Sequence, residues 1–111
     1  MSHYYESEDL KQFGAIGEHA KELAEDFFKY YANVTGTDGA LCKREKALIA
    51  LAVAHAQKCP YCIDAYTTQC LETGANPEQM MEAVHVAAVM QAGITLVHSV
   101  QMRNQLKKMV L

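Results

Sequence analysis

The sequence predicts an all-α protein, a compact bundle of about six helices that forms one domain over residues 1–111. Three observations carry this prediction. Helix-forming residues dominate, while glycine and proline fall at only a few positions. Apolar residues recur at the three- and four-residue spacing of a helix face, and no segment alternates in the manner of a strand.

Taken in order, Ser7-Glu8-Asp9-Leu10 opens a short helix ending near Gly14. A second helix is expected from about Gly17 to Asn33, with Leu23, Phe27, Tyr30 and Tyr31 on its apolar side. Thr35-Gly36-Thr37-Asp38-Gly39 reads as a loop from its turn residues. Cys42 to Gln57 forms a third helix, in which Leu48, Leu51, Ala52 and His55 recur at helical spacing. Pro60 then marks a boundary, because proline pushes the preceding residue out of the helical region and itself suits the first helical position. Cys59 is thus an N-cap, the fourth helix runs from Pro60 to about Thr73, and Gly74 stops it. Asn76-Pro77-Glu78-Gln79 repeats the start signal, with Gln79 at the capping-box position. This fifth helix is expected to reach about Gln91. Gly93 breaks or kinks the pattern, and a last helix carries Leu96, Val100 and Met102 towards Leu106.

Composition excludes several classes of function. Half of the 111 residues are apolar, the net charge is −3, and the basic residues are scattered, so the footprint that neutralises phosphates is missing and no nucleic-acid partner is expected. Met1-Ser2-His3-Tyr4-Tyr5-Glu6 lacks the basic and apolar regions of a signal peptide. The longest unbroken apolar run, Ala47 to Ala54, is far short of the ~20 residues that span a bilayer, so no membrane association is expected. These features predict a cytoplasmic protein. A chain this short leaves much apolar surface uncovered when folded alone, which predicts a homo-oligomer.

Of the four cysteines, Cys42 and Cys70 have no close partner in sequence and read as small, partly buried hydrophobes. Cys59-Pro60-Tyr61-Cys62 is different. In a reducing compartment an i, i+3 pair is redox-active or metal-binding more often than structural. A helix N-terminus presents unpaired N–H groups and partial positive charge, which favour a thiolate, and the thiolate is the nucleophile. Spacing across one turn also brings the two sulfurs within bonding range. Zinc would need about four ligands, and beyond His55 none stands nearby; a purely structural pair is the other competing reading. Redox chemistry is favoured, with no cofactor.

Around the pair, Tyr66 lies one turn above Cys62 and is a candidate hydrogen-bond donor to a sulfur or to substrate. His55 ends the preceding helix and is a candidate proton carrier. His85, with Glu82 and Glu78 on one stripe, is a third candidate.

The stretch Arg44-Glu45-Lys46-Ala47-Leu48-Ile49-Ala50-Leu51-Ala52-Val53-Ala54, followed by Cys59-Pro60-Tyr61-Cys62-Ile63-Asp64-Ala65, resembles the carboxymuconolactone decarboxylase-like family in its alkylhydroperoxidase D-like branch. The likeness extends from about Leu41 to Arg103. Ala47 to Tyr66 and Glu82 to Ala88 are most similar to small peroxidase-like proteins associated with arsenosugar biosynthesis. The resemblance implies an all-helical fold assembled as a dimer, a trimer or a hexamer built as a trimer of dimers. It also implies that Cys62 attacks a hydroperoxide, that Cys59 resolves the sulfenate as a disulfide, and that a dithiol reductant protein restores the pair. The dipole argument instead makes Cys59 the more acidic thiol, so Cys59 is expected to meet the external reductant. Active peroxidases of the family carry a relay glutamate and a relay histidine at the positions held here by Ala47 and Tyr66. Glu45 points about 200° round the helix from position 47 and is no simple substitute.

The expected function is therefore a thiol-dependent peroxidase or disulfide reductase, acting on a hydroperoxide or disulfide substrate, with Cys59, Cys62, Tyr66, His55 and His85 as its site. The competing reading is a non-catalytic oligomeric accessory protein that captures a thiophilic ligand, such as an arsenical, through the cysteine pair.

Overall fold

The computed structural model describes residues 5–110; Met1 to Tyr4, on which part of the signal-peptide reading rests, lie outside the described residues. A 3-10 helix, Ser7–Gly17, precedes five α-helices: α1 Lys21–Thr35, α2 Lys43–Ala56, α3 Pro60–Glu72, α4 Pro77–Val97 and α5 Ser99–Val110. All regular structure among the described residues is helical, as the sequence predicts.

The centre is α2, which packs against α3 on one side and α4 on the other. Its alanines make this possible, since Ala47 and Ala54 let neighbouring backbones approach closely. The core is small, formed by Ala47, Leu51, Tyr66, Cys70 and Ala75, with Cys62, Ala65, Leu48 and Met80 packed against it. Cys70 is fully buried there, as its reading as a small hydrophobe requires.

Helix starts follow the capping chemistry. The Asn76 side chain accepts from the Gln79 amide at 2.8 Å, and Gln79 Oε1 accepts from the Asn76 amide at 3.0 Å, which completes a reciprocal box. At α2, Glu45 Oε1 accepts from the Cys42 amide at 2.9 Å. Glu45 is thus engaged as a cap and turned away from the site.

Three boundaries depart from expectation. The first helix is a 3-10 helix and continues to Gly17, so α1 begins at Lys21. A Cβ at Gly17 would stand 2.7 Å from the Ala24 Cβ, so glycine lets this turn close onto α1. Leu23 and Tyr30, expected on the apolar side of α1, are exposed, whereas Phe27 and Tyr31 join a cluster with Phe13. Gly93 does not interrupt α4. The helix continues to Val97 and bends at His98, where His98 Nδ1 and the Ser99 hydroxyl donate to the Ile94 and Leu96 carbonyls at 2.6 Å each.

Within Pro77–Val110 a stretch reaches a mean hydropathy of 1.5 while only 6% of it is buried, so this segment is long and apolar enough to cross a membrane by length and composition. Counting unbroken apolar runs missed it, because isolated polar residues such as Gln91 punctuate the stretch.

Candidate active site

The turn between α2 and α3 places the cysteines. Beyond α2, Lys58 adopts a left-handed conformation (φ 57°), and the Cys59 amide donates to the Ala54 carbonyl at 2.9 Å while the Lys58 amide donates to His55 at 3.2 Å. This pair of bonds is a Schellman closure, in which glycine is the usual left-handed residue. It delivers Cys59 directly to the N-cap of α3, with extended backbone (φ −99°, ψ 101°) and Pro60 as the first helical residue.

Both thiols are free, and their sulfurs stand 2.9 Å apart, about 0.9 Å beyond a disulfide bond. With both thiols protonated the Cys59 thiol donates to Cys62 Sγ, and the Cys62 amide donates to Cys59 Sγ at 3.4 Å; when Cys59 loses its proton the Cys62 thiol becomes the donor between the two sulfurs. Those two bonds, with help from the Tyr61 amide, hold the Cys59 thiol below the usual cysteine range. Cys62 lies deeper against the core. Burial, together with its role as donor to Cys59, pushes its pKa up to about 11.

The sulfurs open onto a cavity of about 610 Å³. On the α3 side it is bounded by Cys59, Cys62, Tyr61 and Tyr66. Tyr31 of α1 adds to the lining, and Leu10, Phe13 and Ile16 of the 3-10 helix form an apolar wall. Asp9 brings the one carboxylate, and its Oδ1 accepts from Gln12 at 3.3 Å.

The structure brings together Cys59, Cys62 and Tyr66. The Tyr66 hydroxyl shares a short hydrogen bond with that of Tyr31, not with a sulfur, and burial plus this bond push its pKa up. His55 lies elsewhere: its Nδ1–H donates to the Leu51 carbonyl at 2.9 Å, along its own helix. His85 is exposed on α4, and neither histidine borders the cavity. Ala47, where the resemblance places a relay glutamate in active peroxidases, is 2% exposed and packs in the core.

Sequence reasoning missed Tyr31 and Asp64. Tyr31 carried only the signature of an apolar helix face, and the register of α1 on α3 is needed to pair it with Tyr66. Asp64 accepts from the Tyr5 hydroxyl at 2.6 Å and closely from the Ser7 hydroxyl, which hold its carboxyl below the usual range. A carboxylate early in a helix signals only a favourable dipole.

Fold and site together define an all-α protein with a reduced Cys-x-x-Cys pair at the head of a helix. The chain belongs to the carboxymuconolactone decarboxylase family, whose model matches residues 21–102. It is 44% identical over 91 residues to the uncharacterized protein 4 in the cox locus of Paracoccus denitrificans, covering 80% of this chain and 82% of that one. It is 34% identical over 83 residues to an uncharacterized protein of Cupriavidus necator, covering 75% and 73%. No solved structure matches.

Proposed function

We propose that the protein is a thiol-dependent oxidoreductase that reduces hydroperoxides through the Cys59–Cys62 pair, drawing electrons from a dithiol reductant in the cytoplasm. The observation that carries this reading is the pair itself: two free sulfurs 2.9 Å apart at a helix head, both facing an open cavity. In this reading Cys59 makes the attack. Its thiolate is stabilised by the Cys62 thiol and the α3 amides, whereas Cys62 keeps its proton and offers it to Cys59. The resemblance assigns the attack to Cys62, but that role needs a proton acceptor, and the relay positions hold Ala47 and a tyrosine whose hydroxyl is already engaged.

The Cys59 thiolate attacks the terminal peroxide oxygen and the O–O bond breaks. The departing alkoxide takes the Cys62 proton and leaves as the alcohol, with Cys59 as sulfenic acid. The Cys62 thiolate then attacks the Cys59 sulfur, a disulfide forms, and hydroxide leaves to become water. A dithiol returns two electrons and two protons by thiol–disulfide exchange.

The test is a dithiol-coupled assay with a panel of hydroperoxides. Repeated turnover, abolished by Cys59→Ser and by Cys62→Ser, supports the reading. Saturation at one equivalent per site without turnover overturns it in favour of a thiol-based binding protein, and trivalent arsenic at one equivalent per pair would identify the ligand.

A further inference from the structure

The cavity at the thiols has one wall that the matched family region, residues 21–102, does not include. That wall is the 3-10 helix Ser7–Gly17, whose Leu10, Phe13 and Ile16 line the same cavity as the two sulfurs. It is fastened at both ends. At its start, Tyr5 and Ser7 donate to the Asp64 carboxylate on α3, and the Tyr5 ring meets Tyr61 edge-on at 4.7 Å. Further along, Phe13 packs edge-on against Phe28 at 5.0 Å and borders Phe27 and Tyr31 of α1. Tyr61 and Tyr31, which receive the two ends, themselves line the cavity.

Hydrogen peroxide needs none of this. It is small and polar, and an exposed helix head would serve it as well. An apolar wall adds affinity only for a ligand with an apolar body, roughly 25 cal/mol for each Å² it covers. A space of this size suits a ligand well beyond the dimensions of hydrogen peroxide. Charge narrows the class further: Asp9 and the Cys59 thiolate both disfavour an anion, and a wall of Leu10, Phe13 and Ile16 offers a cationic body no polar partner, so the matching ligand is neutral.

Building on the peroxidase reading above, we propose that the N-terminal 3-10 helix, latched by Asp64, is the specificity wall of the site, selecting neutral hydroperoxides that carry an apolar organic body over hydrogen peroxide. Phe13 contacts the organic body directly. Asp64 touches no substrate; it is a positioning residue that acts through Tyr5 and Ser7.

The test uses the full chain with both cysteines reduced. Single-turnover disulfide formation is followed by quenching with an alkylating agent and mass spectrometry, with cumene hydroperoxide and hydrogen peroxide as probes. The unmodified protein should react at least tenfold faster with cumene hydroperoxide. Asp64→Ala and Phe13→Ala should each lower that ratio at least threefold, and Tyr5→Phe, which removes one hydroxyl from the latch, should lower it less. A ratio near one in the unmodified protein overturns the proposal. So does a parallel fall with both probes, which marks general damage to the fold; if Asp64→Ala does not fold, Tyr5→Phe decides. A second readout separates this proposal from the peroxidase reading: alkylation of Cys59 by N-phenylmaleimide and by iodoacetamide, which requires no peroxide. Should neither hydroperoxide oxidise the pair, the peroxidase reading fails. A preference for the aromatic maleimide that Asp64→Ala reduces would then still establish the wall as an apolar selector, and its absence would overturn the wall as well.

Discussion

The Cys59 thiolate accepts hydrogen bonds from the Cys62 thiol and amide, so losing its proton costs less than for an ordinary thiol, while Cys62 must lose its proton beside that sulfur and partly out of water. The two thiols therefore titrate on opposite sides of the ordinary cysteine value. Alkylation of Cys59 should show a midpoint below the ordinary value of 9.0, because the thiolate is the reactive form and its population falls only as pH drops through the lowered pKa. Cys62→Ala removes the donor and should move that midpoint up. In Cys59→Ala the Cys62 midpoint should come down from about 11 yet stay above 9.0, since burial, its largest cause, persists. Iodoacetamide rates against pH, resolved by peptide mass, check all three. The histidines give a complementary test. With His55 bonded to Leu51 along α2 and His85 exposed on α4, His55→Ala and His85→Ala should both leave the pH profile of Cys59 oxidation unchanged. A shift of half a unit or more in either variant would show that a histidine takes part in the proton transfer.

The same Schellman closure ends α2 and α3, once with Lys58 (φ 57°) and once with Gly74 (φ 95°), where the Ala75 amide donates to the Cys70 carbonyl at 2.9 Å. A side chain in the left-handed region costs about 1 kcal/mol. Lys58→Gly should therefore stabilise the fold by up to about 1 kcal/mol, and Gly74→Ala should destabilise it by about the same amount. Urea unfolding followed by circular dichroism at one fixed protein concentration measures both. This asymmetry also shows which elements were legible. Gly74, Pro60, Asn76 and Pro77 announce their boundaries because each residue type has a strong local preference, and the structure places α3 and α4 where those signals lie. Lys58 announces nothing, since its conformation is imposed by the demand to close α2 and present Cys59. Gly93 misled in the opposite direction. An added Cβ there would meet nothing within 4 Å, so no contact requires glycine, and its modest helix penalty is outweighed within a long helix. The cysteines and Tyr66 were legible from spacing along a single helix. The cavity wall was not, because Phe13 and Leu10 come to share a cavity with the sulfurs only through the fold of a segment some fifty residues away in sequence.

At the scale of the molecule, the accessible surface is 8763 Å², whereas a folded monomer of 12.3 kDa exposes about 6,100 Å². The Cα radius of gyration, 18.9 Å, likewise exceeds the roughly 13 Å of a closed single domain of this length. Much of the exposed apolar surface lies on α4 and α5. α4 packs against α2, and along it Met80, Ala83, Val84 and Ala87 are buried or half-buried, while Val86, Val89, Met90 and Ile94 are half exposed or more. An uncovered area of about 2,700 Å² per protomer is at the upper range of what an obligate pair buries, which favours more than one interface and thus a trimer or hexamer over a simple dimer. Light scattering at 10 µM should give an integral multiple of 12.3 kDa. Val89→Glu makes the test specific. Val89 is 66% exposed in the single chain, so in a monomer the glutamate is a surface change within about 0.5 kcal/mol of neutral. In an assembly it places an unpaired charge between apolar helices and should shift the mass towards 12.3 kDa with helix content unchanged. A monomer already at 10 µM would refute this assembly, as would recovery of the unmodified protein with the membrane fraction; in the latter case the apolar stretch of Pro77–Val110 is covered by lipid instead of by a second copy.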